Sequence, residues 1–170
     1  MTSADIADLY PLPAQLTRDM PLRRGDPVTL PLAAGGSVEV GAGVMDADAE
    51  AAYAWGHCHA LARALLELAS DRWALAWFGS SKCWCGRRAR RHCECQVDHV
   101  AVVRDSLVLD ISGLWAVERP GRREFEAGPV PMTAALWSDI CASPNWVATD
   151  IEPARLFAAA IAKLEPVLLR

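Results

Sequence analysis

The strongest constraint on the fold is an alternation of apolar side chains across residues 97–111. Val100 and Val102 precede a polar break at Arg104, Asp105 and Ser106, and Leu107, Leu109 and Ile111 follow it. A period of two is that of a half-buried strand. Two such runs joined by a short polar break predict an antiparallel hairpin with strands at 97–104 and 106–111. His99, Ala101, Val103, Val108 and Asp110 then lie on the opposite face. A turn at Arg104 and Asp105 sets His99 directly across from Asp110, with Cβ atoms about 4.5–5.5 Å apart. A turn at Asp105 and Ser106 makes the pair diagonal on one face. A three-residue loop would separate them onto opposite faces. The two-residue turns are favoured, because they gather all five strong apolar residues on one side.

The helical period appears elsewhere. Residues 57–69 carry Leu61, Leu65 and Leu68 on one side, with Cys58 one turn earlier; this is the spacing of an amphipathic helix. A shorter helix at 49–55 follows the caps Asp46 and Asp48, and Gly56 interrupts the two. Residues 73–78 form a short apolar run, read as a buried strand. Residues 120–131 read as a loop. Thr133 caps a helix to about Cys141. Asp150 caps a last helix with Pro153 in its first turn, and its apolar stripe is Phe157, Ile161, Leu164 and Leu168. Residues 1–45 form an irregular arm punctuated by Pro11, Pro13, Pro21, Pro27 and Pro31. Within it, short strands at 28–30 and 37–40 turn at Gly35 and Gly36. The sum is one α+β domain spanning residues 1–170. In it a cysteine-bearing helix packs on a small antiparallel sheet, C-terminal helices cover a face, and an insertion projects at residues 80–96. A chain of 170 residues can bury a core without disulfide staples.

Composition narrows the class. A hydrophobic share of 52% with 22% charged residues excludes an intrinsically disordered chain. No run approaches the ~18 apolar residues of a membrane span. The opening MTSADIADLY has no basic region before an apolar run, so no secretory signal is expected. The expected location is the cytoplasm, where thiols stay reduced. A formal net charge of −4 argues against a general nucleic-acid binder. Phosphate-binding glycine loops, H-E-x-x-H helices and dinucleotide fingerprints are lacking.

Cys58 stands where a helix begins, just after Gly56 and His57. Unpaired N–H groups and the helix dipole stabilise a thiolate there, and the same N–H groups can hold an oxyanion. A nucleophilic thiol needs a base, and the base an orienting partner. The hairpin supplies both, His99 as base and Asp110 as partner. Each residue alone has a plainer reading: Cys58 as a core side chain, His99 as structural, Asp110 as a turn cap. Together, on a helix and two adjoining strands, they point to nucleophilic catalysis.

The segments GHCHALARALLEL and DHVAVVRDSLVLDISGLW also carry a resemblance. Over about residues 56–115 the chain resembles the papain-like thiol hydrolases, above all their compact bacterial and phage members. There, a cysteine opening a helix is followed by an H-x-V-V strand and an L-D-x-x-G strand. The resemblance implies a papain-like fold with Cys58 as nucleophile, His99 as general base and acid, and Asp110 as the orienting group. It implies a peptidase or amidase attacking the amide, isopeptide or thioester carbonyl of a peptide or protein substrate through an acyl-enzyme. Papain itself has a glutamine shortly before the cysteine as oxyanion donor. Here residues 50–55 offer neither glutamine nor asparagine, and Tyr53 or the backbone alone would take that part. His57 and His59 flank the nucleophile as surface residues, supporting donors or metal ligands.

A second constellation lies at Cys83, Cys85, Cys93 and Cys95. Four thiols in two close pairs suit a tetrahedral structural zinc ion, and a reducing compartment favours metal over disulfides. His92 could replace one cysteine, and two disulfides or four free thiols are the alternatives. Four protein thiolates would leave no open position for catalysis. Lys82, Arg87, Arg88, Arg90 and Arg91 surround the pairs against a single carboxylate, Glu94. The arginines could dock an acidic protein or a nucleic acid. The competing functional reading is therefore a non-catalytic, zinc-stabilised binding module on a degenerate hydrolase scaffold, or a structural component of a phage-like particle. Trp55 and Trp115 flank the catalytic candidates as possible groove walls, and Cys141 reads as a buried hydrophobe.

Overall fold

A computed structural model describes residues 27–31, 35–41, 43–54, 56–83, 85, 92–118, 125–148 and 150–170. Most of the N-terminal arm, Trp55, Trp84 and the four arginines at 87, 88, 90 and 91 lie outside the described residues. In chain order the elements are β1 (Val28–Pro31), β2 (Ser37–Val40), α1 (Ala47–Ala54), α2 (Cys58–Leu68), β3 (Ala74–Gly79), β4 (Val97–Arg104), β5 (Leu107–Asp110), β6 (Gly113–Ala116), β7 (Ala127–Pro131), α3 (Ala134–Ala142) and α4 (Ile151–Leu164). Single 3-10 turns occupy Glu94–Gln96 and Pro166–Leu169.

The fold is α+β. The predicted hairpin lies in a five-stranded antiparallel sheet ordered β6-β5-β4-β3-β7, and β1 and β2 form a separate pair. Val102 pairs with Leu109 and Val103 with Val108, so the turn is Asp105 and Ser106. Asp105 takes φ +55 there, a conformation that aspartate tolerates better than most residues. This is the diagonal register, and it keeps His99 and Asp110 on one face. The hairpin then repeats: β5 turns into β6 through Ile111 and Ser112, with Asp110 paired to Gly113.

Two strands went unread in the sequence. β6 is only four residues long. β7 falls inside the expected 120–131 loop, where Pro129 and Pro131 argue against a strand. Proline is tolerated on a sheet edge, where a missing N–H leaves no ladder bond unmade. β7 is such an edge, paired only with β3.

Both faces of the sheet are covered. On one face, Val102, Leu107 and Leu109 meet Leu61 and Leu65 of α2, and α2 in turn meets Phe157 and Ile161 of α4. Alanines at 60, 64, 154 and 158 let the elements of this core approach closely. Each fully buried Leu or Phe contributes about 1.5–3 kcal/mol. The other face is aromatic: Phe78, Ala101 and Val108 are buried beneath Trp115 and Phe125. Two members of the expected helical stripes, Leu68 and Leu164, are exposed, whereas Leu168, just beyond the end of α4, is buried in the core. Asp46, Thr133 and Asp150 cap as read, accepting from the N–H groups of Ala49, Leu136 and Glu152. Cys141, expected in the core, is exposed. Among the described residues, no helix is long and apolar enough to cross a membrane.

Gly79 closes β3 where the ladder to β4 bulges. A Cβ on this residue would lie 1.9 Å from the Gln96 carbonyl oxygen and 2.8 Å from the Asp98 nitrogen. Both are backbone atoms, which do not swing aside. Gly79→Ala is therefore expected to destabilise the chain by roughly 2–3 kcal/mol, read as a melting temperature lowered by several degrees. An unchanged melting temperature would show that the β3–β4 junction is looser than described.

Candidate active site

Cys58 is the first residue of α2, and Gly56, at φ +117, makes the sharp turn from α1. A side chain would strain that backbone conformation. His57 sits between them, 1% exposed, and its Nε2–H donates to the Pro31 carbonyl at 2.6 Å. Burial holds its pKa below the ordinary range, so the ring is neutral. His57 thus ties the start of α2 to β1 and does not face outward.

His99 enters the site from the start of β4 and Asp110 from the end of β5. Nε2–H of His99 donates to Asp110 Oδ2 at 2.9 Å, and both side chains are buried. The second carboxylate oxygen, Oδ1, accepts from the Ser112 N–H at 2.7 Å. Asp110 therefore caps the β5–β6 turn and orients the histidine at once. The turn holds the carboxylate, and the carboxylate fixes the ring.

That bond leaves Nδ1 of His99 for the sulfur. Cys58, His99, Asp110 and Tyr53 line one crevice between α2 and the sheet, too narrow as it stands to admit a water molecule. Nδ1 makes no hydrogen bond of ordinary length and angle, a looseness common before substrate binds. The groups nonetheless act strongly on each other. Burial pushes the Cys58 thiol up, but its interactions with His59 and His99 outweigh that and bring its pKa down to about 6. Burial pushes His99 down, while Asp110 and the Cys58 sulfur raise it to about 9. Between these values the pair is a thiolate facing an imidazolium.

Two neighbours of the site, His59 and Phe125, carried no signal strong enough to assign from sequence. His59 is fully buried and interacts with the Cys58 thiol. Its ring meets Trp146 edge-on at 5.1 Å and Trp137 at 6.2 Å. Phe125 lies parallel to the His99 ring at 6.0 Å, and Trp115 packs on Phe78 beside it. These partners come from α3, the loop after it and the segment before β7, all distant in sequence from the nucleophile. Tyr53 is buried, and its hydroxyl has no hydrogen-bond partner among the described residues.

The four clustered cysteines sit in the β3–β4 connection. Their sulfurs all lie within 4.8 Å of one another, the arrangement of a group that could hold a metal ion. Neighbouring sulfurs are 3.3–3.4 Å apart, and no disulfide forms. Tetrahedral zinc with ligands at about 2.3 Å needs sulfur–sulfur separations of about 3.8 Å, so the cage fits with small adjustments. Hydrogen bonds shared with Cys85 and Cys95 push the Cys83 thiol up to about 12. Crowded thiols resist ionisation until a cation joins them. His92, read as a possible ligand, instead turns its ring edge-on to Trp77 at 5.5 Å.

No known protein family matches the chain, and neither does any characterised protein or solved structure.

The pH dependence of the sulfur follows from the pair. As pH falls through about 6 the sulfur takes up a proton and loses nucleophilicity. Alkylation of Cys58 by iodoacetamide, quantified on its own peptide, is expected to show an inflexion near pH 6. An inflexion in the ordinary thiol range, about 8.5, would mean that the imidazoles do not act on the sulfur. Asp110→Asn is expected to move the inflexion upward, because it weakens the imidazolium that stabilises the thiolate.

Proposed function

We propose that the chain is a papain-like thiol hydrolase, a peptidase or amidase that works through an acyl-enzyme on Cys58. The observation that carries this reading is the buried 2.9 Å contact between His99 and Asp110, with Nδ1 left toward a depressed thiol. A structural histidine needs no buried carboxylate to orient it, and a core cysteine has no reason to ionise.

In this reading the Cys58 thiolate attacks the substrate carbonyl carbon, and the carbonyl electrons move to oxygen. N–H groups of the first turn of α2 receive that oxyanion, and the Tyr53 hydroxyl is the side-chain donor that lines the crevice. As the tetrahedral adduct collapses, His99 gives its Nδ1 proton to the departing amine. A thioester joins the acyl group to Cys58. Water then attacks the thioester, His99 takes a proton from it, and the carboxylic acid leaves as the thiolate is restored. Asp110 keeps the ring aligned through both proton transfers. Cys58 and His99 are each only 2% exposed, and the half-buried Trp137 and Trp146 pack in the same cluster as Cys58. Such exclusion of water strengthens the ion pair.

The four thiolates of Cys83, Cys85, Cys93 and Cys95 are assigned to a structural zinc ion. When bound, the metal crosslinks the two ends of the β3–β4 connection. The arginines in the sequence of that connection, Arg87, Arg88, Arg90 and Arg91, are read as a docking point for an acidic partner.

Two experiments test these assignments. Incubation with a peptide or isopeptide library is expected to give cleavage with a bell-shaped pH profile, its limbs near 6 and 9, from the ionisations of Cys58 and His99. Cys58→Ala should abolish turnover, and His99→Ala should lower it by ~10³-fold or more. An equal rate in Cys58→Ala, at matched purity, would end the hydrolase reading. Metal analysis of the full chain is expected to find one zinc per chain, lost in Cys83→Ser/Cys95→Ser. A folded wild type containing no bound metal would remove the zinc assignment.

A further inference from the structure

The cysteine cluster and His99 share one structural joint. Gln96 follows Cys95 directly and stands three residues before His99. It is buried, although Cys95 before it is only half-buried and Asp98, two residues on, is exposed. Its side chain spans the insertion: Oε1 accepts from the Cys93 N–H at 3.0 Å, and Nε2 donates to the Ser80 and Ser81 carbonyls at 3.3 and 3.4 Å. Its backbone does the same. The Gln96 N–H donates to the Cys93 carbonyl at 3.0 Å, and its carbonyl accepts from the Ser80 N–H at 2.8 Å. The entry to the insertion, its exit and the start of β4 thus meet on one residue.

A second route reaches the same ring. The Glu126 carboxylate accepts from the Ser81 N–H and from both the Ser80 and Ser81 hydroxyls. The adjacent residue is Phe125, which lies parallel to His99. Phe78, the partner of His99 in the β3–β4 ladder, precedes the Gly79 bulge that leaves no room between Gly79 and Gln96. His99 is therefore held through β4 by Gln96, across the ladder by Phe78, and from above by Phe125. Two of those supports end on Ser80 and Ser81, the two residues that precede Lys82 and the first cysteine pair.

We infer that Gln96 is a positioning residue that couples metal occupancy of the cysteine cluster to the placement of His99 against the Cys58 sulfur. With the four thiolates drawn onto one ion, Cys83 and Cys93 are crosslinked, and Ser80, Ser81 and Gln96 keep their registry. Without the ion, the cage relaxes, the Gln96 clamp loosens, and β4 begins in a different place. The inference rests on the thiol-hydrolase reading of the site. Its mechanism is mechanical: the metal takes no part in the chemistry at the sulfur.

The test reads the pH profile of Cys58 alkylation, not turnover. Full-length wild type is compared as purified, after stripping with a chelator, and after reloading with Zn²⁺; labelling is measured on the Cys58 peptide alone. The titratable groups facing this sulfur are His59, His99 and, behind His99, Asp110. Stripping is expected to move the inflexion upward by a pH unit or more, slowing labelling at pH 6.5 several-fold, and Zn²⁺ should reverse it. Zinc-loaded Gln96→Ala should resemble the stripped wild type, and Gln96→Glu, which retains the acceptor for Cys93, should fall between. Glu126→Ala, at an exposed position, serves if Gln96→Ala does not fold by circular dichroism; it should shift the profile in the same direction. An inflexion unmoved by stripping, or unmoved in folded, zinc-loaded Gln96→Ala, overturns the coupling and leaves the hydrolase reading intact. A reloaded wild type with no inflexion near pH 6 overturns the hydrolase reading itself, and the coupling with it.

Discussion

The two-residue turn at Asp105 and Ser106 sets the register of β4 against β5, and the candidate site depends on that register more than on any other feature. Side chains alternate across a sheet, so a shift of one residue would carry His99 and Asp110 to opposite faces. In the register adopted, Val102 meets Leu109 and the histidine reaches diagonally to the carboxylate. The apolar residues of the hairpin reinforce this choice, because a two-residue turn buries Val102, Leu107 and Leu109 together against α2 and α4 and a three-residue loop would not. Core packing and site geometry thus select the same alignment.

The thiol illustrates how much of an ionisation equilibrium is tertiary. A helix N-terminus favours a thiolate, but Cys58 is buried, and burial opposes the charge. What reverses the balance is the arrival of two imidazoles, one from the next residue along α2 and one from β4. His99 in turn bears its positive charge in a buried place because Asp110 is within hydrogen-bonding distance. Cys58, His99 and Asp110 form a set in which each stabilises the charged form of the next. Removing any one leaves a buried charge without compensation.

The cysteine insertion is also part of this frame. It replaces what would otherwise be a simple hairpin loop between β3 and β4, the two strands that Phe78 and His99 join. Four sulfurs that could hold a metal ion lie in that connection, which runs between the strands of Phe78 and His99. The bulge at Gly79, the close approach of Gln96 and the Glu126 contacts all concentrate there, where one strand must end and another begin in a set position.

Much of this was legible in the chain. The hairpin, α2, the α4 cap and the candidate triad all announce themselves by period or spacing, because periodicity records which side of an element is buried. The edge strand β7 did not, since Pro129 and Pro131 obey the rules of a loop until a neighbouring strand makes an edge of them. Leu68 and Leu164 lie exposed within the apolar stripes while Leu168 is buried, because periodicity says which face is apolar and not where the neighbouring elements reach. His57, His59 and Phe125 carried no readable role: Pro31, the two tryptophans and His99 come to them from other parts of the chain. The sequence by itself determined which residues have the chemistry and which face of each element they occupy, through local sterics and hydrophobic alternation. Only the tertiary structure decided which turn closed the hairpin, which partners surrounded the sulfur, and hence its charge, because those depend on distances between segments that local preferences do not specify.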